Sequence, residues 1–403
     1  MLRRFHLNPS ALLPLLFGRD SPTSTAAAAL PAPLHPLRHF IERLWGGAGT
    51  LSTLVSPDAA GARSNSLTLQ FLRDSCGLAE KEAEAVGARL RLRSTKNAHA
   101  VLALLRNIGF APAAVARLIV GCPSLLACTS FAAKVDFCRR ELGLSDADVR
   151  RILLASPYRI ANNSLDSRLR HNHKILKGLL GTDENVRAAV KQAVDLILGN
   201  MELVLLPKLK ILRDHGATEE GLVKLVIKHP KALIYRSNRF DDGLAAMKDL
   251  GVGLSSGIFP YAFGVFAKTY QTKWDRRMEN FLSLGWTEEQ VRKAFVRHPY
   301  CMAVSDDKVR QLMKLFTEKL GWTPEYVAKC PTVLSFSYEK RILPRCMVLN
   351  LLASKGAIKS GIKQSHLMIA EKKFIEKYIT TYQEVIPELL EAYNRARAAG
   401  AVK

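Results

Sequence analysis

Nine glycines recur along the chain at nearly even intervals, and no other feature constrains the fold as strongly. They are Gly77, Gly109, Gly143, Gly181, Gly216, Gly251, Gly285, Gly321 and Gly356, with steps of 32 to 38 residues between neighbours. A fixed period of about 20–50 residues marks repeat architectures, in which a unit buries its apolar face only against its neighbours. Glycine recurs easily by chance, so the flanking residues carry the argument. Fourteen residues after four of these glycines stands a proline: Pro123, Pro157, Pro230 and Pro299. Six residues after the same glycines is an aliphatic side chain, Val115, Val149, Leu222 or Val291. Two residues after, Ser145, Thr218, Thr287 and Thr323 are helix-starting types. The Gly321 unit reaches Pro331 four residues early, the length of about one helical turn. The Gly181 and Gly251 units lack the proline but keep the spacing. About eight units result, two of them degenerate.

Each position has a mechanical reading. The glycine follows an amphipathic segment and can take the left-handed conformation that ends a helix without steric cost. The Ser or Thr caps the next helix, and Ser145 with Asp148 forms the pattern of a capping box. Pro112 and Pro324 stand where a first-turn proline is tolerated. The second helix runs through 149–154 or 291–296 and is stopped by the proline, which lacks an N–H and clashes inside a helix. The short apolar pieces that follow, such as Ser124-Leu125-Leu126 and Thr332-Val333-Leu334, predict a single 3₁₀ turn packed inward. No segment alternates with β-branched residues for long, so no sheet is expected. The predicted fold is all-α: a curved α-solenoid of about eight repeats of ~35 residues, each two helices and a short 3₁₀ turn, over residues 65–395 with a tail at 396–403.

Charge narrows the function. Of 403 residues, 59 are Lys or Arg and 36 are Asp or Glu, a net +23, which attracts polyanions. Residues 1–64 read as an organellar transit peptide and linker: Ala, Leu, Pro, Ser and Arg dominate, and only Asp20, Glu42 and Asp58 are acidic. The early Arg3 and Arg4 favour the mitochondrion, with the chloroplast as the alternative, and cleavage is expected between residues 20 and 64. Removing this segment takes away six basic and three acidic side chains and leaves about +20, so the basic character belongs to the repeats. No stretch approaches 18 apolar residues, so membrane insertion is not expected. Seven cysteines without a CxxC pair fit reduced thiols better than a disulfide framework or a zinc site.

The unit Gly-[Phe/Trp/Leu]-Ser/Thr … Val … Pro-x-Leu-Leu resembles the mitochondrial transcription termination factor (mTERF) family over roughly residues 66–395. The segments around Cys76-Gly77-Leu78, Gly109-Phe110, 339–345 and Phe374-Ile375-Glu376-Lys377-Tyr378 look like its plant branch. The resemblance implies a solenoid with a basic concave face, organellar residence, and binding to double-stranded DNA or to RNA. It implies roles in transcription termination or initiation, or in RNA maturation such as group II intron splicing, with organellar transcription or splicing proteins as possible partners.

A phosphate-gripping solenoid needs cations at fixed repeat positions. Six residues before the prolines stand Arg117, Arg151, Lys224 and Lys293, with Arg150 and Arg292 adjoining two of them. Just before the prolines stand Lys228, His229, Arg297, His298 and Lys329. After them come Lys134, Arg168, Arg239, Lys308, Lys340 and Arg341, and Arg170 and Arg345 complete the candidate set. Solvated outer-face charges are the bland alternative, but recurrence in register puts equivalent positions on one face. Trp286, Trp322 and Phe110 read as core anchors; Tyr158, Tyr235 and Tyr300, just beyond prolines, could touch nucleic acid.

No catalytic motif survives scrutiny. Gly253-Leu254-Ser255-Ser256-Gly257 matches G-x-S-x-G without the strand and sheet that a nucleophile elbow requires. The acid pairs Asp241-Asp242 and Asp306-Asp307 read as helix N-terminal charges. His171 and His173 lie among Arg168, Arg170 and Lys174, a setting that favours phosphate over metal. No cofactor is expected, and the protein is read as a monomer acting by occupancy. A protein-binding scaffold is the competing class, though it would need neither the charge nor its register. A membrane-surface protein ranks last, because its cations should share one helix.

Overall fold

The computed structural model describes residues 59–234, 239–269, 271–358 and 361–399. The expected transit segment falls outside these residues up to position 58, as do Tyr235 and residues 400–403. Helix Ala59–Asp74 runs across the expected boundary at 64, and helix Glu388–Ala399 continues into the expected tail.

The period is structural throughout. All nine repeat glycines have positive φ, from 63° to 93°, and each joins a first helix to a second one or to the turn that leads into it. In the Gly109 unit the joint follows Lys96–Asn107 and precedes Pro112–Gly121. Phe110 N then donates to Leu105 O at 3.1 Å, and Gly109 N to Arg106 O at 2.9 Å, closing the carbonyl end of the first helix. The predicted caps form. The side-chain oxygens of Ser145, Thr218, Thr287 and Thr323 each accept from the backbone N–H three residues on, and Ser145 N donates back to Asp148 at 3.3 Å.

Six second helices end on a residue with an extended φ: Cys122, Ser156, Ala193, His229, His298 and Cys330 lie between −152° and −136°. A following proline disfavours helical geometry at this position, which explains five of the six. Ala193 precedes Val194 and behaves alike, so the Gly181 unit keeps its third segment, Asp195–Leu198, without the proline. The third segment is a 3₁₀ turn only at Pro299–Ala303 and Pro331–Ser335. Elsewhere it closes as a short α-turn, as at Ser124–Ala127 and Lys231–Ile234. The Gly251 unit departs further. Only two residues separate its second helix, Phe259–Lys268, from the next first helix, Gln271–Ser283, too few for a third segment.

Four first helices also widen into a π turn, with bonds such as Leu142 N to Phe137 O at 3.1 Å and Ile342 N to Ser337 O at 3.0 Å. The amphipathic pattern carries no mark of these. Among the described residues there is no strand, and no helix is long and apolar enough to cross a membrane.

Packing is between neighbours. Second helices stack on second helices, Asp183–Gln192 on Glu219–Lys228 and that on Phe259–Lys268, and third segments stack likewise. One apolar core runs from Phe71 to Tyr393, with Phe110, Trp286 and Trp322 buried as anchors. Cys122 is a buried filler; Cys330 is half-buried, with its thiol 3.1 Å from the Met368 sulfur. Ser255 lies in a turn before Phe259–Lys268, with no strand leading to it. The acid pairs lie in the first turns of Arg239–Asp249 and Asp306–Lys314.

One glycine is required by contact rather than by conformation. A Cβ on Gly264 would stand 2.1 Å from Cγ of His229. Gly264→Ala should therefore lower the thermal midpoint, with a loss of at least about 2 kcal/mol from overpacking. Gly178→Ala, where nothing lies within 4 Å, should hold or raise it. Circular dichroism melts compare the two, and an unchanged Gly264→Ala midpoint would contradict the packing.

Candidate nucleic-acid interface

A repeat that stacks its second helices side by side keeps their like ends together, and charge follows those ends. First turns are acidic: Asp146 and Asp148, Asp183 and Glu184, Glu219 and Glu220, Glu288 and Glu289, Glu325. Last turns are basic: Lys191, Lys228, Lys268, Arg297 and Lys329. Both choices suit the helix dipole. Hydrogen bonds tie the C-terminal ends into one row. Arg151 Nη2 donates to Lys191 O at 3.2 Å, Lys268 Nζ to His229 Nδ1 at 2.9 Å, and Arg297 Nη1 to Ala328 O at 3.1 Å. The ring Nε2 of His298 lies 2.6 Å from Ser335 Oγ. The stack therefore has a basic edge and an acidic edge, bridged where Asp148 pairs with Arg151 at 3.3 Å and Lys191 at 2.8 Å.

The centre of the basic edge is His229. Its ring is buried, and acceptance from Lys268 at Nδ1 leaves the proton on Nε2, which faces the Tyr300 hydroxyl at 3.2 Å. Burial, then Lys268 and Lys228, hold its pKa down to about 4, so it is neutral at pH 7. Burial and then Lys231 also lower Lys268. No carboxylate appears among the causes of either shift, and a polyanion would supply that compensation. Tyr261 and Tyr300 lie 6.1 Å apart beside His229, and Tyr300 is 37% exposed. Next along the edge, Arg151, Lys191 and Lys231 line an open pocket of about 400 Å³ with Ser156 and Asp195.

The sequence-predicted cations divide by where they point. Arg151, Lys228 and Arg297 lie on the basic edge, and Lys228 is exposed with no side-chain partner among the described residues. Arg117 and Lys340 are exposed too, on other helices. Lys224 and Lys293 pair with glutamates one turn back, at 2.5 and 2.6 Å. Arg170 is held by Glu141 at 2.8 Å and Asp166 at 2.7 Å. Arg239, half-buried, opens the first helix of the Gly251 unit.

The rest serve as staples, one kind between successive repeats and one within a repeat. Arg150 donates to Ile108 O and Arg292 reaches Asp249 at 2.6 Å, each at the turn of the preceding unit; Arg187, on Leu142 O, repeats the contact. A second staple runs forward, from a first helix to the carbonyls at the end of the next third segment. Asn97 takes Leu126 O, buried Lys134 takes Ile160 and Ala161 O, and Asn172 takes Ile197 and Gly199 O. Arg168 takes Gly199 O, Lys208 Leu233 O, and Lys308 Ser335 O. Arg341 and Arg345 both reach Leu367 and Ile369 O. Arg345 is fully buried, stacked 4.6 Å over Phe374 and paired to Glu371 at 2.8 Å, so it presents no surface to a ligand.

Register reasoning passed over Lys191, Lys231, Lys268 and Tyr261. Lys191 and Lys268 end second helices in the two units without prolines, so counting from the proline could not reach them. The shared signal was a cation in the last helical turn.

Comparison with known proteins agrees with this architecture. The chain is 23% identical over 213 residues to "Transcription termination factor MTERF8, chloroplastic" of Arabidopsis thaliana, covering 53% of this chain and 42% of that protein. It is 20% identical over 246 residues to "Transcription termination factor MTERF15, mitochondrial" of the same plant, covering 61% and 54%. The chain thus matches about half the length of these curated relatives. The mTERF family profile matches residues 58–248 and 260–375, and the chain belongs to the mTERF family.

Proposed function

We propose that the protein is an organellar nucleic-acid-binding regulator of gene expression that holds double-stranded DNA along its basic edge by non-covalent occupancy. The observation that carries this reading is the cluster of Lys228, Lys231 and Lys268 around the buried His229, with Lys268 Nζ 2.9 Å from its Nδ1. Support also comes from Arg151 and Lys191, which line one pocket with Lys231 while paired to Asp148, and from Arg297 at the end of a later second helix. Occupancy would obstruct or recruit a polymerase, and organellar transcription proteins are the expected partners. The leader at residues 1–64 is proposed to direct import, into the mitochondrion first and the chloroplast as the alternative. The two relatives carry one name of each kind.

A second reading, an RNA target such as a folded intron, draws on the tyrosines. Tyr158, 67% exposed, and Tyr300 stand at the starts of third segments on the basic edge, where unpaired bases could stack.

Three measurements follow. Log affinity for duplex DNA should fall linearly with log salt, and Lys228→Ala/Lys231→Ala/Lys268→Ala should flatten that slope by about 2–3, at ~0.9 per lost phosphate contact. Alanine at the exposed first-helix lysines Lys248, Lys314 and Lys319 should leave the slope unchanged. Equal effects of the two triple variants would contradict the basic-edge assignment. Binding should also raise the His229 titration from about 4, because a nearby polyanion favours the imidazolium; NMR of the ring protons reads this, and a fixed or lowered value would count against it. Crosslinking in intact organelles, with parallel RNase and DNase treatment, separates the readings. DNase-sensitive promoter or terminator fragments support the first and RNase-sensitive intron fragments the second. Recovery of neither would favour the protein scaffold.

A further inference from the structure

The Gly251 unit, which lacks a third segment, borders an open groove of about 380 Å³. It lies between two successive first helices, Arg239–Asp249 and Gln271–Ser283, with Phe266 of the intervening second helix at its side. Ala246, Leu250, Phe266, Trp274 and Met278 are each only half-buried against the core here, whereas Phe110, Trp286 and Trp322 are closed off from solvent. The Trp274 ring packs 5.2 Å from Phe266 and 5.1 Å from Phe295, so the apolar wall is held rigidly.

The rim is acidic. Asp242 and Asp249, two helical turns apart and both exposed, line one side. Asp242 has no hydrogen-bond or ion-pair partner among the described residues. Arg292 on the opposite side pairs with Asp249 at 2.6 Å and with Glu288, outside the groove, at 3.0 Å, so Asp242 is the lining carboxylate that no cation meets. A phosphate backbone would be repelled from this rim, and an uncharged ligand would leave Asp242 unmatched.

We propose that this groove is a docking site for a second protein, and that its occupant is a short amphipathic segment with an aromatic or branched aliphatic anchor flanked by lysine or arginine. The anchor fills the space beside Trp274 and Phe266, and the cations meet Asp242 and Asp249. Volume and lining suit one large side chain; the carboxylates select a basic segment over an acidic one. Because Arg292, Glu288 and Asp249 belong to the acidic edge, the site stays open while the basic edge is occupied. It would let the protein hold nucleic acid and a partner together.

The test uses the full chain labelled with 5-fluorotryptophan, whose Trp274 signal is assigned from its loss in Trp274→Phe. The probes are 16-residue helical peptides with one Leu or Trp anchor and two lysines seven residues apart, and a matched set with glutamates in place of the lysines. The lysine peptides should shift the Trp274 resonance saturably. Ala245→Arg, at an exposed position lining the groove, should weaken that binding at least tenfold while leaving the melt and the affinity for nucleic acid unchanged. Equal binding of glutamate and lysine peptides, or retention of binding by Ala245→Arg, would overturn the proposal. So would the absence of a saturable shift up to millimolar peptide. Nucleic-acid binding is a separate readout, so failure of the basic-edge reading would leave this result intact.

Discussion

Stacking identical helices side by side aligns their dipoles, and aligned dipoles repel. A solenoid built by near-translation cannot avoid this, because every second helix starts and ends where its neighbour does. The chain offsets the repulsion with carboxylates such as Glu219, Glu220, Glu288 and Glu289 at the N-terminal ends and cations such as Lys228, Lys268 and Arg297 at the C-terminal ends. A stability requirement of each helix thereby becomes a sidedness of the whole stack. The basic edge that would meet a polyanion is the accumulated form of a local capping rule.

The same logic explains which parts of the structure were legible in the sequence. Glycine joints, Ser and Thr caps and terminating prolines act within a few residues, so their chemistry reads directly. Gly143-Leu144-Ser145 with Asp148 is a complete instruction, and the structure executes it. The conformation of the third segment was not legible, because 3₁₀ and α closure of four or five residues differ by little energy. The π turns left no trace either, since one widened turn preserves the amphipathic stripe.

For the interface, recurrence was legible and destination was not. Lys134, Lys308 and Arg341 recur in register because every unit must satisfy the carbonyls that end the next third segment. Asn97 and Asn172 do the same work without charge, which shows that donation, not cationic character, is what the position requires. A binding track and a structural staple both demand register, so register cannot separate them. Burial does: Lys134 and Arg345 lie inside, while Lys228 and Lys231 lie outside. The Gly251 unit shows the converse. Losing its proline hid Lys268 from the register count, and the groove beside Trp274 lies in the same unit.

The central claim is that one edge of the stack carries the nucleic acid. Ultraviolet crosslinking of the bound complex, with mass spectrometry of the modified peptides, tests it most directly. The account predicts adducts on peptides containing Lys228, Lys231, Tyr261, Lys268, Arg297 and Tyr300, with none on the first turns that carry Glu219, Glu220, Glu288 and Glu289. Adducts spread equally over both ends of the second helices, or concentrated on the acidic ends, would contradict it.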